Sequence, residues 1–237
     1  MGKTKKNIAI VGLGQFGYQL SISLHQKEFD VLAIDINQDR IDEIKDLVTE
    51  AIIIDSTDEK AMRSININTV DVAIVSIGSN VQSSLLTTAL LQRLGISEIQ
   101  VRYINSLQEN ILQSMGIKTI IGIEKEMGIQ IANTLSTDKV GKYISISDHH
   151  SVMEIQVPEG FVNKTLKDLH IRSQFKVNIV GIKTRVPNIN DAGDIIYTIE
   201  MTDVPDPNYP LSKEDLLIIA GTDNNLRKFI KMGELNV

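Results

Sequence analysis

Short unbroken apolar runs alternate with helix-patterned stretches through the first half of the chain. The runs Asn7–Val11, Val31–Ile34, Ala51–Ile54, Val72–Ser76, Glu98–Val101 and Thr119–Ile121 predict six strands. Between them, apolar residues recur at helical spacing around Phe16–Lys27, Gln38–Leu47, Glu59–Ile65, Val81–Leu94 and Leu107–Met115. Strands that are apolar on both faces and joined by helices predict a parallel sheet covered on both sides. Asn37 and Asp58 are expected to cap helices, and Gly95 and Gly116 to end them. The region reads as a doubly wound α/β domain of Rossmann type.

The pattern changes after a further helix expected over Glu124–Ser136. Tyr143–Ser147, Val152–Val157, Val177–Thr184, Ile195–Met201 and Leu216–Ala220 read as strands, with helices expected only at Leu166–Arg172 and Asn224–Lys231. All five prolines fall in this half. A small α+β domain is expected, which divides the chain into residues 1–137 and 138–237.

The first strand runs straight into Gly12-Leu13-Gly14-Gln15-Phe16-Gly17, and the second ends on Asp35. In that position each glycine has a task. Gly12 permits the tight turn, Gly14 lets backbone approach a pyrophosphate, and Gly17 allows close helix-to-strand packing. The following helix offers free N–H groups to phosphate, and an acidic side chain accepts from ribose hydroxyls. Adenine nucleotide binding at this edge is the strongest inference from the residues.

Composition narrows the rest. The 24 basic and 30 acidic residues give a net charge of −6, which argues against a nucleic-acid platform. The absence of cysteine removes disulfides, thiolate catalysis and thiolate metal sites. No apolar run approaches the roughly 18 residues of a membrane span, and Met1–Lys6 is a basic tail without a signal-type apolar stretch. A cytoplasmic location is therefore expected.

Catalysis has thin support. A hydride-transfer enzyme needs an acid or base facing the cofactor. Of the four histidines, His25 is expected part-buried on the first helix, pointing away from the strand ends. His149 and His150 are expected in a turn, and His170 in the second domain. No nucleophile elbow, P-loop or HExxH motif occurs. A small NAD-dependent oxidoreductase stays open as the alternative.

Several segments, in order, carry a resemblance. They are the glycine stretch Ile10–Gly17, the second-strand end Leu32–Asn37, the polar turn Asp55-Ser56-Thr57, and the loop Ile77-Gly78-Ser79-Asn80 before a helix with Thr87-Thr88. Arg102 at the fifth strand end, Glu124–Gly128, Leu166–Leu169, Val177–Ile179 and Leu211–Leu216 continue the series. Together they resemble the regulator-of-potassium-conductance (RCK) family, in particular the cytosolic gating subunit of bacterial Ktr/Trk potassium uptake systems. Ile123 stands where the family usually has proline.

The resemblance implies a non-enzymatic, nucleotide-sensing regulator at the inner face of the membrane. It implies homodimers that assemble into an octameric ring beneath a potassium channel subunit. It further implies that Gly12, Gly14, Gln15, Phe16 and Gly17 cradle phosphates and that Asp35 holds the ribose. Ile36, Asn37, Asp55, Ser56 and Thr57 would border the adenosine, and Ile77, Gly78, Ser79 and Asn80 would close the other side. Arg102 would counter phosphate charge, its plain alternative being a surface arginine at a strand end. Glu124 would meet a divalent cation, Mg²⁺ or Ca²⁺, its alternative being an acid at a helix start.

The ligand is expected to be ATP or ADP, with NAD or NADH also open. Gln15 stands where ATP-responsive members usually carry arginine, and it cannot neutralise charge. Asp35 favours free ribose hydroxyls over a 2′-phosphate. Some relatives bind cyclic di-AMP at a C-terminal dimer interface. Arg172, Asn178, Ile179 and Pro207 fall near the matching positions, each with an ordinary structural reading as well. The stretch Pro187–Tyr197 looks longer than the family's usual hairpin.

Overall fold

The computed structural model describes residues 5–135, 140–190 and 194–235, and the chain divides into two units, Met1–Lys125 and Glu126–Val237. The expected boundary at 137/138 and the expected helix end at Ser136 lie outside the described residues.

The first unit holds six strands, β1 (Asn7–Val11), β2 (Asp30–Asp35), β3 (Glu50–Ile53), β4 (Val72–Val75), β5 (Glu98–Arg102) and β6 (Thr119–Ile121). Every pairing is parallel, and the strand order is β3-β2-β1-β4-β5-β6. The order reverses between β1 and β4, which opens a crevice at the carboxyl ends of those two strands. Each strand lies within two residues of its expected span.

The alternation of β1 shows why this sheet needs helices on both faces. Ile8 and Ile10 belong to one apolar cluster, with Val31, Ala33, Ile41 and Ile44. Ala9 and Val11 belong to the other, with Ile34, Met62, Leu91 and Leu112. Successive side chains of a strand point to opposite faces, so a run apolar at every position must be covered twice.

The covering helices are α1 (Gln15–Gln26), α2 (Gln38–Ile44), α3 (Glu59–Ser64), α4 (Val81–Arg93) and α5 (Ser106–Ser114). Asn37 caps α2 by accepting from the Arg40 N–H, and Asp58 caps α3 by accepting from Lys60 and Ala61. Gly95 and Gly116 follow α4 and α5 at φ +83° and +77°, the left-handed conformation that favours glycine. Helix α6 (Ile123–Leu135) starts in the first unit and continues into the second.

The second unit is an antiparallel sheet of β7 (Val140–Ser147), β8 (His150–Gln156), β9 (Asn178–Ile189), β10 (Ile195–Thr202) and β11 (Leu216–Thr222), in the order β10-β9-β11-β8-β7. Two short helices, α7 (Leu166–Leu169) and α8 (Ile171–Phe175), and the longer α9 (Asp223–Leu235) complete it. Phe229 anchors the core between Phe161 and Phe175, at ring-centroid distances of 5.1 and 5.2 Å.

Four expectations need correction. The helix expected over Leu166–Arg172 is two helices, because His170 takes a left-handed φ of +43° and breaks the run. Strand β9 runs on to Ile189 instead of stopping at Thr184, since it pairs with β10 as far as Ile189↔Ile195. His150 opens β8 rather than sitting in the turn, and its partner across the hairpin is Ser147. His25 is exposed rather than part-buried, 3.5 Å from the Thr49 hydroxyl.

Candidate functional site

The carboxyl ends of β1, β2 and β4 are stitched together by bonds within the chain itself. The Gly12 N–H donates to the Ile34 carbonyl and the Ser76 N–H to the Val11 carbonyl, each at 2.8 Å. The Ser76 hydroxyl donates to the carbonyls of Val11 and Gly12 at 3.0 and 2.5 Å. These bonds hold a turn that only glycine enters easily, with Gly12 at φ +97°. A Cβ on Gly17 would lie 1.9 Å from the Gly12 carbonyl oxygen, so this third glycine fixes how closely α1 seats on β1. A Cβ on Gly14 would meet nothing within 4 Å, because Gly14 faces open space.

Gly14 lines two cavities, and the one at the strand ends measures about 470 Å³. Gly12 and Gly14 form one wall, and Asp35 and Ile36 the next. Asp55, Ser56 and Thr57 line the β3 side, while Ile77, Gly78, Ser79 and Asn80 line the β4 side. Arg102 closes the far end. The volume lies within the few hundred to a thousand Å³ typical of small-molecule sites.

Asp35, only 6% exposed, is held by three donors. Its Oδ2 accepts from the Leu13 N–H at 2.6 Å and from Arg40 Nη1 at 3.2 Å, and its Oδ1 from the Asn37 N–H at 2.9 Å. Asp55 accepts from both the hydroxyl and the N–H of Thr57, and the hydroxyl bond leads in holding its carboxyl below the usual carboxylate range. The Ser56 and Thr87 hydroxyls bond at 2.7 Å, tying this turn to α4. Asn80 is committed as the cap of α4, accepting from the Ser83 N–H.

Arg102 lies along the Gly78 backbone, where a Cβ would come within 2.9 Å of Nη1. Its Nη2 donates to Glu124 Oε1, and its buried Nε has no hydrogen-bond partner. The hydrogen bond from Arg102 holds the Glu124 carboxyl below its usual range. Gln108, 1% exposed, clamps the β5 end through its amide bonds to the Ser84 hydroxyl and the Arg102 carbonyl, and accepts from the Ile104 N–H.

Not every expected residue meets the cavity. Gln15 and Asn37 line a separate cavity of about 670 Å³ on the outer side of the glycine turn, shared with Tyr18, Asp39 and Glu43. Phe16 and Gly17 line neither, and Glu124 contacts the first cavity only through Arg102. Among the described residues no cluster of three or more histidines or carboxylates is arranged to hold a metal. In the second unit, Arg172 and Pro207 share a shallow concavity. Arg172 Nε donates to Asn178 at 2.9 Å, whereas Ile179 packs against the core instead.

Arg40, Ser76 and Ser83 line the main cavity although they were not singled out from sequence. Ser76 was legible as the end of a strand opposite the glycine turn. Arg40 carried no motif, only its place in the first turn of a helix that follows Asp35.

The TrkA-N domain family matches residues 8–123 and the TrkA-C domain family residues 152–232. The chain is 33% identical over 227 residues to the Ktr system potassium uptake protein C of Bacillus subtilis, covering 96% of this chain and 97% of that protein. It is 34% identical over 234 residues to protein A of the same system and organism, covering 98% and 100%. Among solved structures, the GsuK RCK domain superposes with a TM-score of 0.64 at 16% identity, covering 97% of this chain and 48% of that one. That last likeness concerns the fold.

Proposed function

We propose, for a chain that belongs to the family of Ktr-system potassium uptake proteins and carries a TrkA-N domain followed by a TrkA-C domain, that it is a regulator of potassium transport governed by an adenine nucleotide in the cleft of its first unit. The observation that carries this reading is the meeting of the glycine turn, Asp35 and Arg102 around one cavity at the point where strand order reverses. Gly12 and Gly14 suit a pyrophosphate, Asp35 suits a ribose, and Arg102 suits a phosphate further along.

The ligand is ATP or ADP, with NAD or NADH the competing choice. The uncharged Gln15 weakens any preference for a third phosphate, and Asp35 disfavours a 2′-phosphate. His25, the one histidine of the first unit, does not line the cavity, so the oxidoreductase alternative draws no support from it.

The pair Arg102–Glu124 gives the ligand something to change. A phosphate at the inner end of the cleft competes with Glu124 for the guanidinium, and Glu124 is the second residue of α6. A ligand shifts a conformational equilibrium only by its differential affinity for the two states. Exchanging a carboxylate partner for a phosphate at the start of a helix that continues into the second unit supplies such a difference. Glu124, once released, is available to a divalent cation shared with phosphate oxygens. The partner is a membrane-embedded potassium-transport subunit, reached from the cytoplasmic side by a ring of dimers. Cyclic di-AMP at Arg172, Asn178, Ile179 and Pro207 belongs to the same proposal.

Calorimetric titration with ADP, ATP, NAD and NADH, with and without Mg²⁺ or Ca²⁺, tests the reading. Saturable 1:1 binding of an adenine nucleotide per chain is expected. A protein that binds none of the four would overturn it.

A further inference from the structure

Resting on the nucleotide reading of the cleft, we infer that Arg40 is a latch on the ribose-recognising carboxylate, which a free 2′,3′-diol must displace. A carboxylate offers about four acceptor positions, two on each oxygen. In Asp35 the Leu13 N–H and Arg40 Nη1 both use Oδ2, and the Asn37 N–H uses Oδ1. One position remains, while a ribose gripped through both hydroxyls needs two.

The donor that yields is identifiable. The Leu13 N–H bond is buried and 2.6 Å long, and breaking it would orphan a backbone donor beneath the glycine turn. The Asn37 N–H, at 2.9 Å, belongs to the residue that caps α2 and is fixed by that role. Arg40 makes the longest of the three contacts, 3.2 Å, and its side chain is 45% exposed. It can swing without disturbing the backbone.

Arg40 also has somewhere to go. It lines both the strand-end cavity and the neighbouring one, where Asp39 and Glu43 supply negative charge. Helix energetics do not explain the arginine, because a cation in the first turn of a helix opposes the dipole. Its placement there is explained by Asp35. The pair neutralises a nearly buried carboxylate, and ribose hydroxyls would take over that role while the guanidinium turns outward.

The test compares Arg40→Ala with the unsubstituted protein in calorimetric titrations with ADP and with 2′,3′-dideoxy-ADP. Removing the latch should tighten ADP by roughly two- to fivefold, the range of a half-exposed ion pair. Dideoxy-ADP, which has no hydroxyls to exchange, should bind both proteins alike. In the unsubstituted protein the preference for ADP over dideoxy-ADP should widen as salt screens the pair, and in Arg40→Ala it should not. Weaker ADP binding by Arg40→Ala, or an equal change for both nucleotides, overturns the latch and leaves the nucleotide site standing. Failure of the unsubstituted protein to bind either nucleotide overturns the site reading itself.

Discussion

Two alanines in the glycine turn separate the fold's requirements from the ligand's. At Gly14 the backbone is extended, at φ −64° and ψ −179°, and the added Cβ meets nothing within 4 Å. Gly14→Ala therefore strains nothing, and reduced freedom of the unfolded chain would stabilise it by about 0.4–1 kcal/mol. At Gly17 the Cβ would lie 1.9 Å from the Gly12 carbonyl oxygen and 2.6 Å from the Ser76 hydroxyl. Both neighbours are held, the carbonyl by the strand and the hydroxyl by its bonds to Val11 and Gly12. Helix α1 must move off the sheet, at the roughly 1–3 kcal/mol typical of overpacking.

In a domain of this size each kcal/mol shifts the melting temperature by about 3–6 °C. Thermal melts should show Gly17→Ala lowered by several degrees and Gly14→Ala unchanged or slightly raised. Binding should invert the order of severity per unit of damage. A phosphate resting on the Gly14 backbone meets the new methyl directly, at a cost of about 1–3 kcal/mol, or roughly 5- to 150-fold in affinity for ADP. A Gly14→Ala protein that melts normally and binds ADP as tightly as the unsubstituted one would show that the pyrophosphate does not lie over that residue.

Arg102→Ala should weaken ATP and ADP more than adenosine, by roughly two- to thirtyfold, since a charge-assisted contact of about 1.5–3 kcal/mol is lost, less up to about 1 kcal/mol for the Glu124 bond it replaces; equal losses for all three ligands would place the effect outside the phosphates. The Glu124 carboxyl is held below its usual range, first by its hydrogen bond to Arg102. Its contribution is thus present above the ordinary carboxylate value and lost as pH falls through the lowered folded value. With 56% of the side chain exposed, urea melts of Glu124→Gln against the unsubstituted protein should differ by no more than about 1 kcal/mol at neutral pH, and the gap should close in acid. In the second unit, Asp215 is 2% exposed and accepts from the Tyr209 hydroxyl and the Ser212 N–H, so Asp215→Ala should cost about 1–3 kcal/mol in chemical denaturation. Burial, then the Asp215 charge, raise the Tyr209 phenol above its usual value, so its absorbance titration should move toward normal in that variant.

The first unit was legible because its strands are buried twice over. An apolar run such as Ile8-Ala9-Ile10-Val11 cannot belong to a sheet with one wet face, and its neighbours supply the covering helices. The caps at Asn37 and Asp58 were legible for a similarly local reason, since the side chain and the N–H groups it serves lie within three residues. What depends on distant partners was harder to read. The strand from Val177 was expected to end at Thr184, yet β9 pairs with β11 only through Lys183 and continues through Pro187 beside β10 alone. One side of the strand is there an edge, where proline is tolerated. Likewise nothing in Leu166–Arg172 announced the break at His170, whose left-handed backbone separates α7 from α8 without glycine or proline.

The cleft shows the same division between local and distant signals, with a consequence for mechanism. Asp35 and the glycines stood out because their spacing belongs to one supersecondary unit. Arg102 and Glu124 also stood out one by one, but neither their bond to each other nor Arg40 did, because an ion pair between side chains carries no spacing signal. Both arginines that line the cavity are already bonded to carboxylates of the chain, Arg40 to Asp35 and Arg102 to Glu124. A nucleotide entering here would exchange partners at both ends, ribose for Arg40 and phosphate for Glu124. Each exchange returns less net free energy than a contact made in an empty site, since a bond is given up for the one gained. Affinity is lower as a result, but each exchange also leaves a charged group newly freed. An enzyme gains by holding its cofactor rigidly, whereas a sensor needs occupancy to alter its own bonds. Two pre-formed ion pairs at opposite ends of one cavity suit the second requirement. A ligand long enough to reach both should change the protein more than one that reaches either alone.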